Sequence, residues 1–221
     1  MVKATALRRV DVIRGSGVIL MRAAQKKIQD VVDSRPARSR VLDVAIRLFV
    51  HQGYFNTSIQ DIVQEAGVSI GSIYHYFGDK EGIAKALYVT YIDRMSREMA
   101  DITVSHTALR ERSRAVIKLL FQLTEQEPEA IAFMLGAKLQ EFLPDETPVC
   151  SAKPFELMRN MVKEGMANGE IRELSLMVAV SALFGGALRM IHHRLEGRIK
   201  EQLYRHEKEI WECGWRAVAK S

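Results

Sequence analysis

The chain has 221 residues, 48% hydrophobic and 27% charged, with a formal net charge of +5. That length can bury a real core, and the composition excludes a disordered or collagen-like chain. The positive excess is confined to residues 1–80, which hold 12 Lys and Arg against 7 Asp and Glu, whereas residues 81–221 hold 20 of each; such asymmetry points the N-terminal third toward a polyanion.

Residues 1–33 read as a basic extension with Gly15-Ser16-Gly17 in its middle. A more helical stretch (Ala23, Ala24, Ile28, Val31, Val32) begins at Met21, so translation is open to starting there. N-terminal sequencing of the native protein showing Met1 or Val2 would reject that start. Asp11 and Arg14 interrupt any signal-peptide core. Pro36 suits a first helical turn. Val41, Leu42, Ala45, Ile46, Leu48 and Phe49 then follow helical spacing until Gly53. Thr57 or Ser58 caps a second helix carrying Ile59, Ile62, Val63 and Ala66, with Asp61 placed for a capping box and Gly67 as its stop. Ser69 caps a short third helix to Phe77, Gly78 breaks it, and Asp79 caps a fourth from Lys80-Glu81 through Met99. The second and third helices meet at Ala66-Gly67-Val68-Ser69, a short glycine turn of helix-turn-helix type.

Beyond Thr103 the pattern stays helical over Leu109–Leu123, Ile131–Phe142, Phe155–Met166, Glu173–Leu195 and Ile199–Val218. Ala132, Leu135, Leu139 and Phe142 are expected to share one face. The chain is therefore all-α, with about nine helices and no strand of period-2 alternation. The longest apolar stretch, Met177–Leu188, falls short of the ~20 residues of a membrane span. Cys150 and Cys213 lie too far from any partner motif for a disulfide framework or a cysteine-built zinc site, which makes the cytosol the default compartment. His192, His193 and Glu196 supply too few ligands for a metal site. No P-loop, dinucleotide fingerprint, nucleophile elbow or HExxH motif occurs, so no cofactor is expected.

In the third helix, Ile73 and Phe77 can face the core together with Val68. Ser69, Ser72, Tyr74, His75 and Tyr76 then point largely outward. Hydroxyls and Lys80 suit phosphates, His and aromatic side chains suit base edges or thymine methyls, and Gly71 allows close approach to the sugar-phosphate wall. The competing reading is a solvated helix whose tyrosines pack as lids on the core.

The stretch Val41–Tyr91 resembles the DNA-binding domain of the tetracycline-repressor (TetR) family of bacterial transcription regulators. The resemblance rests on Ala45, Leu48, Phe49, Gly53, Thr57-Ser58, Asp61-Ile62, Ala66-Gly67-Val68-Ser69, Gly71-Ser72-Ile73-Tyr74-His75-Tyr76-Phe77 and Lys80-Glu81. It implies a three-helix DNA-binding domain over 34–80 and an effector-binding and dimerisation domain over 81–221, while the long basic extension over 1–33 departs from the family pattern. Thr57 would cap the second helix and contact phosphate, and Gln60 would read a base. Ser69, Ser72, Tyr74 and Tyr76 would meet phosphate or the groove wall, Ile70, Gly71 and His75 would face bases, and Lys80 would bind phosphate. Ile70 departs from the polar residue common at its position; it either meets a thymine methyl or packs inward. Arg35, Arg38 and Arg40 are open between added phosphate or minor-groove contacts and a plain solvated helix start.

The resemblance further implies a homodimer through residues 174–195 and 199–218. Ser181/Gly185 and Ala182/Gly186 are small pairs that let a second helix come close. A methionine- and phenylalanine-rich middle suits a small apolar effector. Met95, Met99, Phe121, Met134, Phe155, Met158, Met161 and Phe184 are the expected lining. The expected function is a sequence-specific regulator, commonly a repressor, that binds a palindromic double-stranded operator as a cytoplasmic dimer and is released by that effector. The alternative is a helical small-molecule-binding protein or enzyme on the same fold, marked by an acid/base pair converging in the pocket.

Overall fold

The fold is described for residues 36–136 and 139–220 of a computed structural model. Expectations for the basic extension, Met21 and Arg35 therefore lie outside the described residues. Proline lacks an amide hydrogen and cannot continue a helix backwards, so Pro36 (φ −52°, ψ 137°) stands just before the first described helix, α1 (Ala37–His51), one position earlier than the sequence suggests. The chain continues through α2 (Ile59–Ala66), α3 (Ile70–Phe77), α4 (Lys80–Ser105), α5 (Leu109–Gln126), α6 (Pro128–Gly136), α7 (Leu139–Phe142), α8 (Lys153–Ala167), α9 (Leu176–Leu195) and α10 (Glu207–Val218). Short 3-10 turns lie at Val149–Ser151 and Leu203–His206. The described residues are thus all-helical, with ten α-helices where about nine were expected and no strand. A lone bridge, Ile171 to Ala219, ties the end of α10 to the loop after α8.

Two cores divide the fold. The first joins α1–α3 and the start of α4 (Ile83, Ala84, Leu87, Tyr88) to Ala130, Phe133 and Met134 of α6 and Leu139 and Phe142 of α7. The second runs from Met95 and Met99 through α5, α8, α9 and α10. Helix α4 therefore belongs to both, and α6–α7 pack with the N-terminal helices although they lie far along the chain.

Two predicted helices differ. Ile131–Phe142 is described as α6 and α7, with residues 137 and 138 outside the description, and its buried face is Ala130, Ile131, Phe133 and Met134. Ala132 and Leu135 are only half-buried. Ile199–Val218 is not one helix: Gly197 adopts φ 72°, and the Leu203 amide donates to Glu125 at 2.9 Å instead of to a carbonyl of a preceding turn. The 3-10 turn and α10 come after that break. Helix α9 has 20 residues and is, by length and composition, long and apolar enough to cross a membrane, which corrects the shorter apolar stretch read from sequence. One of its faces carries Ala179, Leu183, Phe184, Ala187 and Ile191 into the second core, while Met177 and Val178 are exposed.

Glu125 fastens α5 to the end of α9. Its two carboxylate oxygens accept from Arg194 Nε and Nη2, both at 2.9 Å, as well as from the Leu203 amide. The Arg194 hydrogen bonds hold the Glu125 carboxyl below its usual range. A carboxyl depressed in the fold stabilises it above the unfolded value, and that contribution disappears as pH falls through the folded value. Glu125→Gln is therefore expected to cost roughly 1–2 kcal/mol at neutral pH. Urea melts should show the gap to wild type closing as pH drops below about 4.3.

Candidate nucleic-acid interface

Short helices are marginal alone, so each end of α2 and α3 needs a local device. At the start of α2, Ser58 Oγ accepts from the Asp61 amide at 3.1 Å, and Asp61 Oδ2 accepts from the Ser58 amide at 2.8 Å. The Ser58 hydroxyl also donates to Asp61 Oδ2, at 2.8 Å, and the two bonds received by that oxygen lower the Asp61 pKa, the one from the Ser58 amide most. Gly67 ends α2 in the left-handed region (φ 60°, ψ 43°), where a side chain would be strained. Ser69 Oγ then accepts from the Ser72 amide at 3.1 Å to open α3. Gly78 (φ 79°) closes it, and Asp79 Oδ1 accepts from the Gly82 amide at 2.7 Å to begin α4. Arg40, on α1, donates to the carbonyls of Ala66 and Gly67 at 3.1 and 3.2 Å. Its role is to finish α2, so it is not simply part of a solvated helix start. Arg38 stands 5.7 Å from the Phe77 ring centre.

Loss of one cap is testable in isolation. Ser58→Ala should lower Tm by about 2–4 °C, measured by thermal circular dichroism.

This frame presents most of the predicted DNA-contact set to solvent. Gln60, Ser69, Ile70, Gly71, Tyr74, His75 and Tyr76 are exposed, and Ser72 is half-buried. Ile73 is the one fully buried residue of α3, with Phe77 half-buried beside it. Tyr74 is 54% and Tyr76 47% exposed, so neither is a lid on the core. Ile70, 43% exposed, faces outward rather than inward. A Cβ on Gly71 would meet only Ser69 Oγ, at 3.7 Å, so internal packing does not demand glycine there.

Two members of the set behave differently. Thr57 neither caps α2 nor faces outward: it is 1% exposed, and its hydroxyl donates to the Gly53 carbonyl at 2.9 Å. Ser58, the residue beside it, is the cap and is exposed. Lys80 is half-buried and bent back. Its Nζ donates to the carbonyls of Tyr54 and Thr57 at 2.9 and 2.8 Å and lies 4.3 Å from the Tyr54 ring centre. Burial lowers its pKa. Lys80 thus braces the loop that enters α2. Sequence reading missed Tyr54, whose ring links Lys80 to Phe142 of α7, 3.9 Å away and stacked.

The expected effector lining comes together mostly as packed interior. Met95, Met99, Phe121, Met158, Met161 and Phe184 are buried in the second core, with Phe155 packed against it. Met134 belongs to the first core. Only Met134 and Phe155 of the eight line one of the described cavities, of about 330 Å³, together with Leu135, Leu139 and Val149. His192 Nε2 and His193 Nδ1 lie 2.9 and 3.7 Å from Glu196, pairing along the end of α9.

Residues 41–87 match the family model for bacterial regulatory proteins of the tetR family. The chain is 28% identical over 110 residues to the HTH-type transcriptional regulator BetI of Agrobacterium fabrum, a match covering 50% of this chain and 53% of that protein. The fold is similar to that of a TetR family transcription regulator from Marinobacter aquaeolei VT8, with TM-score 0.69, 22% identity, and coverage of 88% of this chain and all of that one. It is also similar to that of the transcriptional regulator FadR from Bacillus subtilis, solved in complex with stearoyl-CoA, with TM-score 0.64, 21% identity, and coverage of 80% and 96%.

Proposed function

We propose that this chain, whose residues 41–87 carry the DNA-binding module of the bacterial tetR family, is a transcriptional regulator that binds a two-fold symmetric double-stranded site as a dimer and is released by a small apolar effector. The observation that carries the reading is α3 itself. It is a short helix capped at both ends and anchored by Ile73; the Ser69 and Ser72 hydroxyls bond each other at its start, and beyond them it exposes Ile70, Tyr74, His75 and Tyr76 to solvent. Such groups on an exposed helix face suit base edges and phosphates in a major groove. The helix has no Lys or Arg, so base choice falls to Gln60, Ile70, Gly71 and His75, and the basic N-terminal third supplies salt-sensitive attraction.

Dimerisation is assigned to the open face of α9 with α10. Met177 and Val178 are 60% and 55% exposed, an apolar edge that a second copy would cover. The effector proposal draws on the stearoyl-CoA complex of the FadR relative. In this chain the methionine-rich second core would have to open to admit such a molecule. Repression is the sense of regulation proposed.

Selection of bound duplexes from a random pool tests the reading. The expected product is an inverted repeat with half-site centres about 34–36 Å apart, bound by an even number of chains. A pool that gains no sequence bias would overturn it.

A further inference from the structure

The most distinctive cavity lies outside the methionine-rich core. It has a volume of about 400 Å³ and sits where the end of α1 and the loop after it meet α6 and α7. Five aromatic rings surround it. Phe49, Tyr54 and Phe55 come from the DNA-binding side, and Phe133 and Phe142 from α6 and α7. The rings touch one another in a circuit. Phe49 lies 5.1 Å from Tyr54 and 6.3 Å from Phe133, Phe133 lies 6.4 Å from Phe142, and Phe142 stacks on Tyr54. Gly53 and Gly136 leave bare backbone in the wall, and a Cβ on Gly136 would meet nothing within 4 Å. Phe55 is 66% exposed, more so than either tyrosine of α3, and its ring stands edge-on to Tyr54 and Phe142. An apolar void forfeits dispersion contacts on the side where no atoms face its lining, and an exposed ring beside it adds unburied surface.

From this we infer that the cavity is a binding site for one neutral, flat aromatic molecule of one or two fused rings, inserted among Phe49, Tyr54, Phe55, Phe133 and Phe142. The size lies in the range of small-molecule sites, and ring circuits of this kind accept a further ring in offset or edge contact. Among the described residues of the wall no side chain is cationic and one, Glu141, is anionic, which disfavours an anion; Glu141 already has a partner within the fold, so it does not call for a cation. Occupancy would act on Tyr54. That ring is held between Phe142 and the Lys80 ammonium, while the Tyr54 and Thr57 carbonyls accept from the same ammonium. A guest that unstacks Tyr54 from Phe142 therefore shifts the loop entering α2. The consequence for DNA rests on the regulator reading; the site itself does not.

The test is titration of the full chain with 2-naphthol, read by its fluorescence and by calorimetry, with no DNA present. One 2-naphthol per chain is expected. Gly136→Leu, which fills the void, should weaken it by about tenfold or more, and Phe55→Ala by several-fold. Because Phe55 is exposed, its variant should melt like wild type, so the test stands even if Gly136→Leu folds poorly. No binding overturns the inference, as does binding that neither variant weakens, because the molecule then sits elsewhere. Binding of tetramethylammonium in place of 2-naphthol overturns the ligand class. A second arm measures affinity for the selected DNA with and without saturating 2-naphthol. Unchanged DNA affinity overturns the coupling through Tyr54. Failure to bind DNA at all overturns the regulator reading and leaves the naphthol titration to stand on its own.

Discussion

Gly82→Ala is expected to be among the most damaging single-methyl changes in the N-terminal helices. A Cβ at this position would lie 1.8 Å from the Phe77 carbonyl oxygen and 2.9 Å from its carbon. The obstacle is backbone, so no side-chain rotation relieves it. Alanine is a better helix former than glycine by about 1 kcal/mol, and on propensity alone the change should stabilise α4. The collision outweighs that gain. Either α4 loses the cap made by Asp79 to the Gly82 amide, or the last turn of α3 moves away. The expected cost is about 3 kcal/mol in urea unfolding, with DNA binding falling in step because either outcome disturbs the junction that holds α3. Gly71→Ala is the contrasting change. Its Cβ meets only a hydroxyl at an ordinary distance, so stability should hold or rise. Any loss of DNA affinity there reports close approach to DNA rather than a damaged fold.

The second large effect belongs to the other end of the molecule. A Cβ on Gly214 would lie 2.5 Å from the Leu183 carbonyl oxygen and 3.2 Å from that of Ala182. Gly214 is therefore the point where α10 lies directly against the backbone of α9. Nearby, Trp211 Nε1 donates to Ser113 Oγ at 3.0 Å, which pins α10 to α5, and the Trp211 ring stacks 6.3 Å from Trp215 along α10 itself. Gly214→Ala must prise α10 off α9 while that pin resists. The expected result is a loss of roughly 3 kcal/mol, seen in chemical unfolding followed by tryptophan fluorescence. If α9 and α10 form the dimer surface, light scattering should show the dimer weakening as well.

The range of each interaction decides how much of the fold and the site was legible in the sequence. The boundaries of α2 and α3 were readable because local residues set them: Asp61, Gly67, Ser69, Gly78 and Asp79 each act within a few positions. The choice between Thr57 and Ser58 as cap was not, since both carry a hydroxyl. It turns on Thr57 bonding back to Gly53, which buries it. Residues 199–202 share apolar helical spacing with residues 203–218, yet Glu125, far away in sequence, takes the Leu203 amide. The role of Lys80 depends on two carbonyls more than 20 positions before it. The methionines show a different limit. A packed core and an open pocket have the same apolar pattern and differ only in void volume, which no periodicity encodes. The aromatic cavity was missed for a related reason: its rings come from α1, the loop after it, α6 and α7, and meet only in the fold.

The central claim is that the exposed face of α3 chooses the DNA sequence. The direct measurement is the ratio of dissociation constants for the selected duplex and a scrambled one, taken at one fixed salt concentration for wild type and for an Ile70→Ala, His75→Ala double variant. Both side chains are exposed, so the variant should melt like wild type. The expected wild-type ratio is on the order of 1,000 or more, falling by about 30-fold or more in the variant while affinity for the scrambled duplex changes little. A folded variant that keeps the wild-type ratio would contradict the account.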